Sequence, residues 1–259
     1  MSFLIKKNVD SHICAARKDL QLIYGVMGDI HSNYDALMAV VDELRLEHVD
    51  KILCVGDIVG YAAEPAKCID LVRELNCTVV AGNHDYAVVG KFPVNYFHAD
   101  ARDAVVWTAR QLSDEYLDFL KKMPLVEELD GITLVHGSLN HPEFFDYIRT
   151  VVDAQLSFDL LKTPICFYGH THIPLVFYLK EGNIHVDRGH VFDVKKADKV
   201  LINVGSVGQS RDWDLRASCA IYDTDKMTVE IRRVKYNISS AVQKIYSAGL
   251  PALNALRLM

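Results

Sequence analysis

The sequence predicts an α/β fold built on two β-sheets, and three observations carry that reading. Between residues 22 and 85, apolar runs that end in glycine alternate with stretches of helical apolar spacing, as strand, loop, helix units do around a largely parallel sheet. After residue 125 strand patterns dominate, several joined by tight glycine turns, which predicts a separate, mainly antiparallel sheet. At 259 residues and 50% hydrophobic content the chain can bury one substantial core, and neither a fixed-period repeat nor a linker divides it.

The first strand, Leu22 to Met27, exits through Gly28 to Asp29 and His31. Residues two apart on an extended backbone face the same way, so this exit can aim a carboxylate and an imidazole at one point. Ala36, Leu37, Val40, Val41 and Leu44 then mark Tyr34 to Leu46 as a helix packed on a sheet. A second strand, Lys51 to Val55, ends in Gly56-Asp57, and a helix over Pro65 to Leu75 follows, with proline tolerated in its first turn. The third strand, Cys77 to Ala81, leads to Gly82-Asn83-His84-Asp85, and Tyr86 to Lys122 is mostly helical, with Ala99 to Leu112 and Asp114 to Leu120 as its clearest pieces.

Leu125 to Leu129 and Ile132 to Val135 flank an Asp130-Gly131 turn and form a hairpin that exits at His136. A loop rich in aromatics covers residues 139–150, and Val152 to Leu161 is a helix. The strand Ile165 to Tyr168 runs into Gly169-His170-Thr171-His172. Leu175 to Leu179 and Ile184 to Val186 make another hairpin, and Val191 to Val194, Val200 to Val204, Ser218 to Tyr222 and Met227 to Val234 are strands. Ser239 to Ala248 is a helix with serine caps, and Leu250 to Met259 is apolar enough to dock on the domain.

The formal charge of −6 gives no general attraction to nucleic acid or to an anionic membrane, so stable nucleic-acid binding is not expected. Any phosphate-bearing substrate needs a local positive site. No apolar run approaches the roughly 20 residues that span a bilayer, and Met1 to Leu20 contains no apolar signal core, so a cytoplasmic location is expected. The six cysteines, at 14, 54, 68, 77, 166 and 219, include no Cys-x-x-Cys pair and are expected to be buried free thiols.

Asp29 with His31, Asp57, Asn83 with His84, His136, and His170 with His172 all follow strands directly, each beside glycine. Any one of these loops reads as an ordinary turn, since Gly-Asp and Gly-Asn are turn formers. Five in succession predict one site at the carboxyl ends of the strands, where loops of an α/β sheet converge.

These blocks, in this order, resemble the calcineurin-like metallophosphoesterase superfamily: Asp-x-His, Gly-Asp, Gly-Asn-His-Asp, a single His, and Gly-His-x-His. The segment Asn203-Val204-Gly205-Ser206-Val207-Gly208-Gln209, with Arg211, resembles the closing segment of its compact prokaryotic phosphodiesterase branch. The resemblance implies a four-layer αββα sandwich of two mixed sheets flanked by helices. It makes residues 21–235 the metallophosphoesterase domain, residues 1–20 an N-terminal extension and residues 236–259 a helical tail packed on the domain. It implies two divalent ions, one held by Asp29, His31, Asp57 and His172, the other by Asn83, His136 and His170, with Asp57 shared. Carboxylate, amide and imidazole donors without thiolate suit Mn, Fe, Zn, Ni or Co.

The implied reaction is hydrolysis of a small phosphoester, nucleotide-like substrates included, by a hydroxide bridging the two ions, with His84 as acid. Asp85 either orients His84 or caps the next helix. Asn83, Ser206 and Arg211 are assigned to the substrate; Arg211 and Arg216 could clamp a phosphate or form surface ion pairs. Phe144, Phe145 and Tyr147 could stack on a substrate base or belong to the core. Two departures stand out: Val204 replaces the branch's proline, which should soften that turn, and the second loop lacks the Asp-Arg-Gly of serine/threonine phosphatases. Dinucleoside polyphosphate hydrolysis, protein dephosphorylation and a catalytically silent scaffold or regulator are the alternatives. The sequence leaves the oligomeric state open.

Overall fold

The computed structural model describes residues 21–259, so the extension expected over 1–20, and Cys14 with it, lies outside the described residues. Its elements run β1 (Ile23–Met27), α1 (Tyr34–Leu46), β2 (Lys51–Cys54), α2 (Pro65–Glu74), β3 (Thr78–Val79), α3 (Asn83–Val88), α4 (Ala99–Gln111) and α5 (Asp114–Lys122). There follow β4 (Val126–Leu129), β5 (Ile132–Val135), α6 (Val151–Leu160), β6 (Ile165–Tyr168), β7 (Leu175–Lys180), β8 (Asn183–Asp187) and β9 (Val191–Asp193). The chain continues through β10 (Lys199–Asn203), β11 (Ala217–Asp223), β12 (Thr228–Val234), α7 (Ile238–Ser247) and α8 (Ala252–Leu256).

Two six-stranded mixed sheets, in the orders β3-β2-β1-β11-β12-β9 and β4-β5-β6-β10-β7-β8, stack with helices on their outer faces. Alternation along the strands builds these layers. Tyr24 and Val26 of β1 point between the sheets while Met27 meets the helices; Ile165 and Phe167 of β6 point between the sheets while Cys166 and Tyr168 pack under α6. Strands covered on both faces read as unbroken apolar runs, which is why their ends were visible in sequence. Helix α1 buries Ala36, Leu37, Val40, Val41 and Leu44, each Leu or Val contributing about 1.5–3 kcal/mol.

The second half of the chain does not make a separate sheet. β9, β11 and β12 join the first sheet, where β11 pairs antiparallel with β1 in the register Gly25↔Ile221. Without β11, β1 would be an edge strand with a row of unpaired backbone groups in the interior. Each sheet therefore contains three adjacent parallel strands, β3-β2-β1 and β5-β6-β10, and both triplets end at the same side of the molecule.

Smaller differences are local. The strand expected over 77–81 shrinks to Thr78–Val79, and Asn83 opens a helix that the motif had made look like loop. Asn237, not a serine, caps α7, accepting the Ser240 N–H at 3.1 Å. The softening expected at Val204 is absent: its N–H donates to the Tyr168 carbonyl at 3.1 Å, a bond proline could not make, and Asn203 Oδ1 accepts the Gly205 N–H at 2.9 Å. Cys54, Cys68, Cys166 and Cys219 are buried free thiols, whereas Cys77 is half-buried. Ala255 and Leu258 bury themselves against Ala62, Ala104 and Ile245. Among the described residues no helix is long and apolar enough to cross a membrane.

Candidate metal centre

The loops after the two parallel triplets interlock through backbone hydrogen bonds. The N–H groups of Asp29 and His31 donate to the carbonyls of Gly56 and Asp57, both at 2.9 Å, and Val207 and Gly208 donate to Gly28 and Asp29 at 3.0 and 2.9 Å. His136 crosses from one sheet to the other, its Nδ1 2.7 Å from the Val55 carbonyl. The Asp29 carboxylate in turn accepts the His170 N–H at 3.0 Å. All seven residues assigned to metal, and His84 and Asp85, are thereby gathered and buried in one place.

The chain accepts strain to do this. Asp29, His31, Asp57, His170 and His172 all have φ between 50° and 67°, the left-handed region that costs an L residue about 1 kcal/mol or more. Glycines beside them make room for neighbouring loops. A Cβ on Gly82 would overlap the Asp57 carboxylate and on Gly169 that of Asp29. Gly82→Ala is therefore expected to displace Asp57 and weaken divalent-metal binding on the order of 10- to 100-fold, measured by calorimetry with Mn on chelated protein. Unchanged affinity would show that the carboxylate has slack.

Backbone carbonyls fix the imidazole tautomers. Nδ1 of His31, His136 and His172 lies 3.2, 2.7 and 2.6 Å from the carbonyls of Val59, Val55 and Gln209, so each Nδ1–H is used outward and each Nε2 faces the centre. There His31 Nε2 and His172 Nε2 lie 3.0 Å apart. Burial lowers the pKa of both rings, so each is neutral with its one proton on Nδ1. Two bare lone pairs at that distance cannot hydrogen-bond to each other, and a cation is what would satisfy both.

Asp57 Oδ2 lies 3.2 Å from His136 Nε2 and 3.6 Å from His31 Nε2, while its Oδ1 accepts the His84 N–H at 2.8 Å. Burial pushes the Asp57 carboxyl up, but the imidazoles, His136 foremost, outweigh it and hold the group well below the usual carboxylate range. Burial likewise pushes His136 down, and Asp57 overrides it and raises it to about 9. The nitrogen and carboxylate donors of Asp29, His31 and His172 lie within 4.8 Å of one another, as do those of Asp57, His136 and His170. Asn83 Oδ1 is buried beside them with no hydrogen-bond partner. Oxygen and imidazole donors, an orphaned amide oxygen and facing lone pairs fit divalent metal.

Of the other assigned residues, His84 stays at the centre, a ring nitrogen within 4.8 Å of donors of His31 and Asp57. His84 lines the adjoining cavity, its ring 4.6 Å from Tyr61, 4.8 Å from His31 and 4.7 Å from Phe97. Asp85 does not touch it. Its two oxygens accept the N–H groups of Val59 and Gly82 at 3.1 and 3.0 Å, so it sits three residues past the Gly82 cap and ties that turn to the Asp57 loop. Burial first, then Asp57, pushes its carboxyl up to about 7.

Ser206 is turned inward, its Oγ donating to the Asp29 carbonyl at 2.8 Å, and it does not line the cavity. Arg211 does line it, whereas Arg216 pairs with Asp214 at 2.7 Å. Phe145 belongs to the core. Tyr147 stacks at 3.9 Å on His170, with the Arg149 guanidinium 3.8 Å from its ring centre, so both faces are taken. Tyr61, Tyr96, His98, Arg149, Trp213 and Arg257 also line the cavity, and no sequence pattern had marked them.

The sequence family described as the calcineurin-like phosphoesterase superfamily domain matches residues 22–227. An uncharacterized protein of Methanocaldococcus jannaschii is 41% identical over 232 residues, 87% of this chain and 93% of that one. The crystal structure of a metallophosphoesterase from Sphaerobacter thermophilus superposes with a TM-score of 0.82 at 38% identity, covering 92% of this chain and 98% of the other. A symmetrical bis(5'-nucleosyl)-tetraphosphatase of Methylobacillus flagellatus is 27% identical over 118 residues, 44% of this chain and 42% of that protein.

Proposed function

This chain belongs to the calcineurin-like phosphoesterase superfamily and is a metal-dependent phosphoesterase, and from that premise we propose that it hydrolyses small phosphoesters, nucleotide-like ones included, with two divalent ions. The observation that carries the proposal is the convergence of fixed-tautomer imidazoles and two carboxylates from five loops on one buried point. In this reading Asp29, His31, Asp57 and His172 hold one ion and Asn83, His136 and His170 the other, with Asp57 within reach of both sets. Such a pair of ions, when bound, activates water and stabilises the attacking and leaving oxygens of an in-line displacement.

The chain's own residues do the rest. Arg211, held by contacts of 3.3 Å to the Tyr61 hydroxyl and to Gln209 Oε1, supplies fixed positive charge at the cavity wall. His84, on the cavity wall, offers a proton or a hydrogen bond from a ring nitrogen. Asp85 is a positioning residue that holds the Asp57 loop against α3. With the metals, Arg211 answers how a chain of net charge −6 attracts a phosphate.

Chelated protein is expected to lose hydrolysis of bis-(p-nitrophenyl) phosphate and to regain it with Mn. Equal activity after chelation would refute the proposal. Full metal occupancy with no turnover across a broad panel of phosphoesters would instead make the protein a scaffold. Dinucleoside polyphosphates and phosphoproteins belong in that panel: the first because of the partial similarity to the tetraphosphatase, the second although no arginine follows Asp57.

A further inference from the structure

We infer that Arg257, carried on the turn after α8, and Arg211 form a second anion subsite beside the metal centre, so that the substrate carries a further phosphate next to the one attacked, as a nucleoside diphosphate does. This rests on the reading of the metal centre as a phosphoester site.

The cavity against that centre has a volume of about 820 Å³, far more than one phosphate fills. Three guanidiniums line it, those of Arg149, Arg211 and Arg257. Among the described residues none of the three makes an ion pair with a carboxylate, in contrast to Arg216, Arg232 and Arg233, which pair with Asp214, Glu47 and Asp212. Arg149 is occupied on Tyr147 and braces His170. The other two converge: the Arg211 and Arg257 guanidinium carbons lie 6.0 and 5.8 Å from the centre of the same Tyr61 ring.

Two like charges on the wall of one cavity, both beside the buried Tyr61 ring, repel each other, and an anion bound by both converts that repulsion into two favourable pairs. The arrangement is held from behind. Asn254 donates to the Tyr61 carbonyl at 3.2 Å, and Ala255 and Leu258 are buried against the domain, so the turn carrying Arg257 is fixed to the same loop that presents Asp57. Tyr61 also packs 4.6 Å from His84. Through Tyr61 the subsite adjoins His84 on the wall of the same cavity. Tyr96 and the fully exposed Trp213 on the rim offer apolar faces for a base.

The test compares α,β-methylene-ADP with AMP, which share a base and differ by one phosphate. Their inhibition constants are taken from initial rates of bis-(p-nitrophenyl) phosphate hydrolysis by Mn-loaded protein, and their affinities for chelated protein from calorimetry. Wild type is expected to prefer the diphosphate analogue about tenfold, Arg257→Gln to bring that ratio near one, and Arg257→Lys to keep part of it. An equal affinity of wild type for both, a preference that survives Arg257→Gln, or an equal weakening of both ligands with a lowered unfolding temperature would overturn the inference. A wild-type protein that cleaves no phosphoester yet keeps the diphosphate preference would sink the proposed activity and leave this subsite standing.

Discussion

Asp57→Asn is expected to lower kcat/KM on bis-(p-nitrophenyl) phosphate on the order of 10³-fold or more, and to reduce the metal bound per chain. Asn keeps an oxygen for the His84 N–H that Asp57 Oδ1 now accepts at 2.8 Å, so the turn into α3 survives. What disappears is the negative charge facing His136 Nε2 at 3.2 Å and His31 Nε2 at 3.6 Å. A metal that stabilises a phosphoryl transition state contributes several kcal/mol, and each 1.36 kcal/mol is about tenfold in rate, which sets the expected size. Metal content by elemental analysis and the Mn-induced rise in unfolding temperature are the readouts. A ligand at a hundred times its dissociation constant stabilises by about 2.7 kcal/mol, and the variant should lose most of that rise. A variant that binds metal and turns over like wild type would remove Asp57 from the centre.

The core layers were legible because β1, β5, β6 and β10 are buried on both faces over almost their whole length. Ile165 to Tyr168 and Val200 to Ile202 therefore read as continuous apolar runs, and α1 was found with its observed ends. Partner choice was not legible. The alternation of Ala217 to Asp223 says that one face meets helices and the other the second sheet, but nothing in it says that the neighbour is β1, two hundred residues earlier. Helix α3 was hidden for a different reason. Its first residues, Asn83, His84 and Asp85, are poor helix formers chosen for what they carry, and the Gly82 cap, the Asp85 carboxylate and Asp57 Oδ1, which accepts the His84 N–H, stabilise its first turn.

Legibility in the site follows the same line between local and distant. Asp29, His31, Asp57, Asn83, His136, His170 and His172 could be found because each leaves a strand beside a glycine, and the glycines are there so that neighbouring carboxylates and loops fit. The cavity wall carries no such mark. Tyr61, Tyr96, Arg149, Trp213 and Arg257 come from separate loops and from the turn after α8, and each is an ordinary surface type until folding sets it beside the metal centre. Ser206 shows the converse. It sits in a recognisable motif, yet its hydroxyl is spent on the Asp29 and Gln209 backbones.

His84→Ala is expected to cost on the order of 10² to 10⁴ in kcat while metal content stays near wild type. The imidazole is wedged between Tyr61, His31 and Phe97, and its Nδ1 is buried with no hydrogen-bond partner. A buried N–H without an acceptor is more costly than a bare lone pair, so the proton belongs on Nε2. Burial lowers this imidazole to about 4, and a bound divalent ion would push in the same direction. The ring is thus neutral across the neutral range, and raising the pH there takes no proton from it. A neutral Nε2–H can donate a hydrogen bond to a phosphoryl oxygen without surrendering its proton; a leaving alkoxide would have to draw the proton off. The two roles separate by leaving group. If His84 stabilises phosphoryl oxygen, the loss should be similar for a p-nitrophenyl ester and for an alkyl ester; if it protonates the leaving oxygen, the alkyl ester should suffer at least tenfold more, since nitrophenolate departs without help. The neutral state favours the first result. A loss below about threefold on both esters would reduce His84 to packing between Tyr61 and Phe97, far short of the contribution of a positioned proton donor.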